Sequence, residues 1–258
     1  MAIITDPWFY AVAIPAVLIT SISKGGFAGG LGIVAVPLMA LVISPVQAAG
    51  IMLPILCVMD LVGLLRWRRS CDNHLLARLL PGALIGILLG ALLFHHLNDA
   101  FVKGLVGVMA LLFALNYWTK GRFHSGVQLP PLLSAAWWSG ISGFTSFVAH
   151  AGGPPMMIYL LPKRLDKAML VGTLTILFTV MNYVKLVPYA LLGQLDLQNL
   201  STAAVLAPLA PLGVRLGAWL HDRMDALTFY RLSYGFLLMT GAKLCYDGAS
   251  SFWSHPLH

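Results

Sequence analysis

Two short glycine-rich segments interrupt the apolar stretches of the chain, and each places an ionisable side chain beside its glycines. The first is Lys24-Gly25-Gly26-Phe27-Ala28-Gly29-Gly30 and the second is His150-Ala151-Gly152-Gly153-Pro154-Pro155. Glycine lets a chain turn sharply and lets a ligand approach the backbone closely. A helix that begins just after such a turn points unpaired N–H groups and a positive dipole end towards it. Both segments are therefore predicted to bind an anion.

The predicted binding residues are those of the two segments, with nearby hydroxyl groups that could donate to anion oxygens. They are Lys24, Gly25, Gly26, Gly29, Gly30, Gly32, Thr145, Ser146, His150, Gly152, Gly153 and Pro154. Backbone N–H groups near residues 29–32 and 152–153 are expected to supply most contacts, with Lys24 adding long-range attraction. The alternative is that these glycines only allow close helix packing. That packing role is the one expected for Gly86, Gly90, Gly213 and Gly217.

Three further polar residues lie inside long apolar runs: Asp60, Asn182 and Lys185. Charge at membrane depth is costly and usually marks a pathway or an internal ion pair. Asp60 could be a proton or cation site, or a structural partner of Lys24 or Lys185. Pairing is favoured, because an unpaired carboxylate would repel an anion. His150 could titrate near neutral pH as a proton site, or could donate a hydrogen bond to the interrupted backbone.

The composition excludes an ordinary soluble domain. Hydrophobic residues make up 59% of the 258 residues and charged residues 10%, whereas soluble proteins carry about 25% charged residues. The net charge is +7, but the basic residues form short clusters between apolar runs, which is typical of membrane loops rather than of nucleic-acid binding. Cys57, Cys71 and Cys245 form no CxxC motif, so neither a disulfide framework nor a metal site is indicated. No cofactor is expected.

Long apolar runs follow one another along the chain. They cover residues 8–23, 27–43, 46–65, 79–97, 100–118, 131–149, 152–161, 168–190, 199–219 and 227–245. Five or six of them reach the roughly 20 residues needed to cross about 30 Å of hydrocarbon. The first two runs, and likewise 131–149 with 152–161, flank a glycine-rich segment. Each is predicted to be a broken or re-entrant pair, which needs protein or water around its exposed backbone.

The basic residues predict the orientation of the spans. They lie in four loops, which contain Arg66, Arg68, Arg69 and Arg78, then Lys120 and Arg122, then Lys163, Arg164 and Lys167, and finally Arg223. The loops near residues 98–99 and 193–196 contain neither Lys nor Arg. Assigning the basic loops to the cytoplasm places both termini outside, provided that each broken pair enters and leaves on one side. The first run lacks a signal-peptide pattern and is expected to be retained.

The two halves of the chain resemble each other. Residues 49–60 align with residues 171–182 without a gap, which places Asp60 opposite Asn182, and Gly86 and Gly90 align with Gly213 and Gly217. The halves, residues 1–126 and 127–258, each make an odd number of net crossings, so the second is predicted to be inverted. The expected fold class is an all-α polytopic membrane protein. It has two inverted repeats, each with a broken or re-entrant helix pair plus three full transmembrane helices.

Both glycine-rich segments resemble the signature of a known family. Residues 23–37, SKGGFAGGLGIVAVP, and residues 140–155, GISGFTSFVAHAGGPP, are similar to the two motif copies of the sulfite exporter TauE/SafE family. The resemblance covers nearly the whole chain. It implies a permease of a bacterial-type inner membrane that carries sulfite, thiosulfate, organosulfonates or related anions, with the substrate at midplane between the breaks. The lipid bilayer is its other partner, and proton or cation coupling and an oligomeric assembly stay open.

Two other functions were compatible with the sequence alone. An anion channel could be built on the same fold, because a sequence does not report alternating access. An intramembrane serine hydrolase was conceivable, because Ser146 and His150 are spaced i, i+4 and could share a helix face, and Gly140-x-Ser142-Gly143 fits a bare serine motif. No matched histidine on a separate span accompanies that motif. The chain is therefore not expected to be an enzyme.

Overall fold

The computed structural model describes residues 3–27, 32–94, 99–119, 130–160, 163, 165–221, 223, 231, 234–235, 238–239, 241–243, 245–246 and 249. Every regular element in these residues is helical. The elements are α1 Pro7–Gly26, a 3-10 turn Gly32–Val34, α2 Ala35–Met39, α3 Pro45–Trp67, α4 Asn73–Phe94, α5 Asp99–Trp118, α6 Pro131–Ala149, α7 Gly153–Leu160, α8 Lys167–Leu191, α9 Leu197–Leu206 and α10 Leu209–His221. The predicted site residues Gly29 and Gly30, the basic residues Lys120 and Arg122 and the predicted boundary at 126/127 fall outside the described residues.

Four of the described helices, α1, α3, α4 and α8, are long and apolar enough to cross a membrane. The α9 and α10 helices form a fifth candidate span, which is bent by 44°. On α4, the large side chains Ile85, Leu88 and Leu92 are more than half exposed, which suits a helix that faces lipid. The prediction of an all-helical membrane protein is confirmed.

The bend between α9 and α10 is a difference from the sequence prediction of one continuous span over 199–219. The first helix ends at Leu206 and the second begins at Leu209. Pro208 lies between them. Proline has no N–H to donate and its ring clashes with the carbonyl one turn earlier, so the helix is interrupted although its sequence stays apolar.

The α3 and α8 helices form the antiparallel centre of the bundle. A Cβ on Gly50 would lie 2.7 Å from the carbonyl oxygen of Gln194, and one on Gly63 would lie 3.2 Å from Thr175. The start of α3 therefore meets the end of α8, and the end of α3 meets the start of α8. Ser44 caps α3 by accepting from the Gln47 N–H, and Asp166 caps α8 in the same way. Such caps satisfy backbone donors at the helix starts.

Two outer helix pairs flank this centre, and each pair runs parallel. In the α4–α6 pair, a Cβ on Gly86 would overlap the carbonyl oxygen of Gly140, and one on Gly90 would press on Phe147. In the other pair, a Cβ on Gly217 of α10 would overlap the carbonyl oxygen of Ile22 on α1. The Ile4 N–H, just before α1, reaches Thr202 of α9. Small residues thus allow close backbone contact in both pairs.

One end of the bundle gathers the basic residues, and we call it the basic end. The Trp67 indole N–H at the end of α3 donates to the carbonyl of Gly25 at the end of α1. Beside them, the Asp72 N–H donates to Thr173 near the start of α8. These contacts bring Arg66, Arg68, Arg69 and Lys167 to the same end. Three basic side chains of the predicted cytoplasmic loops lie over aromatic rings: Arg66 on Trp67, Lys163 on Tyr159 and Arg223 on Trp219.

Each predicted broken pair consists of a long helix followed by a short one. The α7 helix has eight residues and is about 12 Å long at 1.5 Å per residue, which is less than half of a membrane core. The α2 helix has five residues. Lys24, which the sequence assigned to the first break, lies instead in the last turn of α1. The helix extends to Gly26 because Trp67 satisfies the Gly25 carbonyl that the helix end would leave unpaired.

Candidate functional site

A small cavity lies at the middle of the bundle. Its volume is about 20 Å³, which is room for about one water molecule. Leu56 is the central residue of α3, and Phe178 lies near the centre of α8. The residues that line the cavity come from both halves of the chain and are Lys24, Leu56, Ser146, His150, Gly152, Gly153, Phe178 and Asn182.

An ion pair and an amide occupy one side of the cavity. The Lys24 ammonium donates to Oδ1 of Asp60, and the side-chain amide of Asn182 donates to Oδ2 of Asp60 over 2.6 Å. The Asp60 side chain is 1% exposed and that of Lys24 is 11% exposed. Both carboxylate oxygens of Asp60 therefore have donors, which is the condition under which a buried ion pair is tolerated. The carboxylate lies between α1 and α8.

Lys185 lies behind the other side of the cavity and is completely buried. Its ammonium is 3.0 Å from the carbonyl oxygen of Ser146, 3.0 Å from the Ser146 hydroxyl and 2.9 Å from Nδ1 of His150. An ammonium group has three donors, and all three are used by these neutral acceptors. Within the part of the chain that the structure describes, the ion pair of Asp60 is formed with Lys24 and not with Lys185.

His150 connects three helices at the second break. It follows α6 with a φ of 52°, in the left-handed region, and such a conformation in a residue with a Cβ is a recurrent feature of functional sites. Its Nε2 is 2.9 Å from the carbonyl oxygen of Ala49 on α3. A carbonyl only accepts, so Nε2 carries a proton, and Nδ1 accepts from Lys185 on α8. The ring is therefore neutral in this arrangement. It also stacks on Tyr189.

The loop that follows α6 is held by hydroxyl groups of α6 itself. Ser142 donates to the carbonyl of Gly152 over 2.7 Å, and the Thr145 hydroxyl lies 3.0 Å from the carbonyl of Ala151. These bonds fix the loop carbonyls towards α6. Proline has no N–H, so Pro154 and Pro155 offer no donors. The free backbone N–H groups at the start of α7 are therefore those of Gly152 and Gly153.

The structure separates the predicted binding residues into three groups. Lys24, Ser146, His150, Gly152 and Gly153 line the cavity. Thr145 and Pro154 are buried near the second break but do not line the cavity. Gly25 and Gly26 lie in the last turn of α1, where Gly25 packs against the backbone of Val214. Gly32 begins the 3-10 turn, and Gly29 and Gly30 are outside the described residues.

Four residues near the site were not predicted from the sequence: Leu56, Phe178, Trp67 and Tyr189. Leu56 and Phe178 close the cavity, and the Tyr189 hydroxyl donates to the carbonyl of Phe147 over 2.6 Å, next to the second break. In a chain with this many apolar residues, the residue types of Leu56 and Phe178 do not distinguish them from ordinary core residues. Trp67 and Tyr189 have polar groups that need buried partners, and that need was the one available clue.

The contacts of Ser146 and His150 do not form a nucleophile and base. The Ser146 hydroxyl accepts from Lys185, while the two ring nitrogens of His150 are bound to Ala49 and Lys185. A serine hydrolase needs a hydrogen bond between the hydroxyl and the ring. Among the described residues there is also no group of three or more His, Cys, Asp or Glu placed to hold a metal ion.

Comparison with known proteins gives one result. The chain matches the family described as Sulfite exporter TauE/SafE over residues 13–244. No curated protein and no solved structure matches it significantly. The matched range contains every residue that lines the cavity, together with both glycine-rich segments.

Proposed function

The chain belongs to the sulfite exporter TauE/SafE family of membrane transporters, and we propose that it is a secondary transporter for a small sulfur-containing anion. Sulfite, thiosulfate and organosulfonates are the candidate substrates. The anion binds in the central cavity, between the break after α1 and the break after α6. Its site consists of the Lys24 ammonium, the amide of Asn182, the Ser146 hydroxyl and the N–H groups of Gly152 and Gly153.

The observation that carries this proposal is the position and lining of the cavity. It lies at the middle of α3 and α8 and combines a cation and several neutral donors from both halves. Secondary transporters bind their substrates near the midplane, where broken helices of two repeats meet. The cavity has room for about one water molecule, so its walls must separate to admit an anion with several oxygens. This favours a carrier that changes conformation over a permanently open channel.

Packing supports the proposed inverted repeat. In the proposed repeat, α1 corresponds to α6, and α4 corresponds to α9 with α10. Exchanging the two halves therefore converts the α1–α10 pair into the α6–α4 pair. Both pairs run parallel, as this symmetry requires. The same exchange converts Asp60 into Asn182, and these two residues contact each other. Equivalent residues that touch must lie on the symmetry axis, which for an inverted repeat runs in the membrane plane.

We propose further that the basic end faces the cytoplasm of a bacterial-type inner membrane. Arg66, Arg68, Arg69 and Lys167 lie there, and an excess of Lys and Arg is characteristic of cytoplasmic loops. Aromatic rings beneath Arg66, Lys163 and Arg223 suit the boundary between lipid and water. Both termini are then external.

The test is uptake by purified protein in proteoliposomes. Labelled sulfite, thiosulfate, sulfate, methanesulfonate and acetate are offered separately, with and without an imposed proton gradient. We expect saturable uptake of sulfur anions, and a proton dependence would identify the coupling ion. Failure of every sulfur anion to be transported or bound would overturn the proposed substrate class.

A second assay separates a carrier from a channel. Proteoliposomes preloaded with unlabelled substrate should take up external label faster than empty ones, because a carrier exchanges one substrate for another. Flux that rises linearly with concentration and shows no exchange would instead support the channel alternative. The hydrolase alternative predicts covalent labelling of Ser146 by a serine-directed fluorophosphonate, and we expect none.

A further inference from the structure

We propose that the central cavity selects a singly charged anion, and this inference rests on the proposed function. The preferred substrates would be hydrogen sulfite or an alkanesulfonate with one negative charge. Doubly charged sulfite, sulfate and thiosulfate would be disfavoured. The reason is the charge balance of the buried groups around the cavity, which leaves one positive charge to be neutralised.

The charges are counted from three side chains. Lys24 and Asp60 form an ion pair, so their charges cancel. Lys185 is completely buried, and its three donors go to the Ser146 carbonyl, the Ser146 hydroxyl and the His150 ring. None of these acceptors carries a negative charge. The cluster has a net charge of about +1 when Lys185 is protonated, which is the form that has three N–H donors for these three acceptors.

The other titratable groups that face Lys185 contribute no charge in this arrangement. His150 donates from Nε2 to Ala49 and accepts on Nδ1, so its ring is neutral. Tyr189, on the same helix as Lys185, donates its hydroxyl proton to the Phe147 carbonyl. Cys57 on α3 is buried in the hydrophobic core and is counted as a neutral thiol. Residues 28–31, which lie outside the described residues, are Ala, Gly, Gly and Leu, and none of them has a charged side chain.

Lys185 lies close enough to the cavity for its charge to act on the contents. Ser146 and His150 line the cavity and are the residues that accept from Lys185, so one layer of atoms separates the ammonium from the bound anion. A buried charge without an opposite charge is costly. One negative charge in the cavity removes that cost. A second one would itself be buried without a partner, because Lys24 is already neutralised by Asp60.

The proline pair at the start of α7 strengthens this reasoning. Pro154 and Pro155 have no N–H, so the helix start offers fewer backbone donors to an anion than an ordinary one. Uncharged donors could otherwise stabilise a second negative charge. The preference is therefore set mainly by the side-chain charges, which can be altered one at a time.

The experiment measures binding of methanesulfonate and sulfate to the purified full-length protein by competition with labelled sulfite. Both anions present sulfonyl oxygens, but the first has one negative charge and the second has two. We expect methanesulfonate to bind at least about tenfold more tightly, a difference of the size that one unmatched charge produces. Equal affinity for the two anions would overturn charge selection while leaving the proposed function intact. Absence of binding by any sulfur anion would overturn both.

Two variants test the charge count directly. Asp60→Asn leaves Lys24 unneutralised and raises the net charge to +2, so the preference for methanesulfonate over sulfate should fall by about tenfold. The matched control, Lys24→Gln with Asp60→Asn, removes both charges of the pair and returns the cluster to +1. It should bind more weakly but regain the wild-type preference. A preference that is the same in the single and the double variant would refute the proposal.

The variants need a check on folding, because Asp60 is a buried partner of Asn182. Size-exclusion elution and helical circular dichroism identify folded samples. If Asp60→Asn does not fold, Lys185→Gln supplies the second measurement. It lowers the net charge to about zero, so methanesulfonate should bind about tenfold more weakly while sulfate stays the poorer ligand. A wild-type affinity for methanesulfonate in folded Lys185→Gln protein would equally refute the assignment.

Discussion

The side-chain amide of Asn182 donates to the Asp60 carboxylate over 2.6 Å, across the middle of the central helix pair. The two residues occupy matching positions when the halves of the sequence are aligned. An aspartate on one side and an asparagine on the other give a donor opposite an acceptor. Two aspartates at these positions would place like charges in contact.

This contact predicts the effect of Asn182→Asp. The variant should lose about 3 kcal/mol of stability, as when a buried pair is broken, and should transport poorly. Thermal unfolding followed by circular dichroism measures the first effect. The reciprocal exchange, Asp60→Asn with Asn182→Asp, keeps one donor and one acceptor and should recover most of the loss. A single variant as stable as the wild-type protein would contradict the contact.

The predicted topology has both termini outside and residues 66–78, 119–126 and 163–167 in the cytoplasm. Single cysteines replace Arg69 at the basic end and Gln194 at the opposite end, in a background in which the three native cysteines are changed to Ser. In intact cells, an impermeant maleimide should label position 194 and not position 69. After permeabilisation both should react. Labelling of position 69 from outside would reject the inverted-repeat proposal.

Glycines at the breaks and glycines between helices should respond differently to a bulky residue. Val in place of Gly30, Gly152 or Gly153 at the breaks, or of Gly26 at the end of α1, should abolish uptake while leaving membrane insertion largely intact. Gly86→Val and Gly217→Val should reduce the amount of folded protein, because a side chain there overlaps the backbone of the neighbouring helix. Uptake is normalised to monodisperse protein in detergent. A loss that follows the amount of protein in both sets would show that the breaks serve packing only.

Lys24→Gln should weaken binding more than it changes which anion is preferred. Without its ammonium, the cavity keeps its neutral donors and the attraction falls, so the apparent affinity should drop by about tenfold. Uncharged methanesulfonamide should not compete in either protein, because dipole ends and ammonium groups favour negative charge. Arg66→Gln, at an exposed position of the basic end, is the matched control and should bind normally. Equal losses in both variants would indicate a general effect of surface charge.

The long spans followed from the sequence, because apolar runs have lengths set by the bilayer. Thus α3, Pro45–Trp67, and α8, Lys167–Leu191, lie within a few residues of the predicted runs 46–65 and 168–190. The bend at Pro208 was not anticipated, because hydropathy measures how apolar a run is and does not register a missing backbone N–H within it. Proline at that place was the available signal.

Side-chain partners were harder to infer than helices. The sequence left Asp60 with two cations to choose from, and the structure pairs it with Lys24. That choice depends on which long side chain reaches across the bundle, and spacing along one helix contains no such information. Leu56 and Phe178 could not be distinguished from other apolar residues for the same reason.

The partnership of α1 with α9 and α10 has a consequence for biogenesis. The bond from Ile4 to Thr202 joins positions 198 residues apart, and a ribosome that adds about 5–20 residues per second needs roughly 10–40 s to make that length. During this interval the small-residue face of α1 has entered the bilayer without the helix that covers it. The emerging protein must therefore be held by lipid or by an insertion factor until its last third is made. In variants that delay synthesis of α10, α1 would stay uncovered for longer. The protein would then be degraded because of its exposed first helix, although the altered codon lies far from that helix.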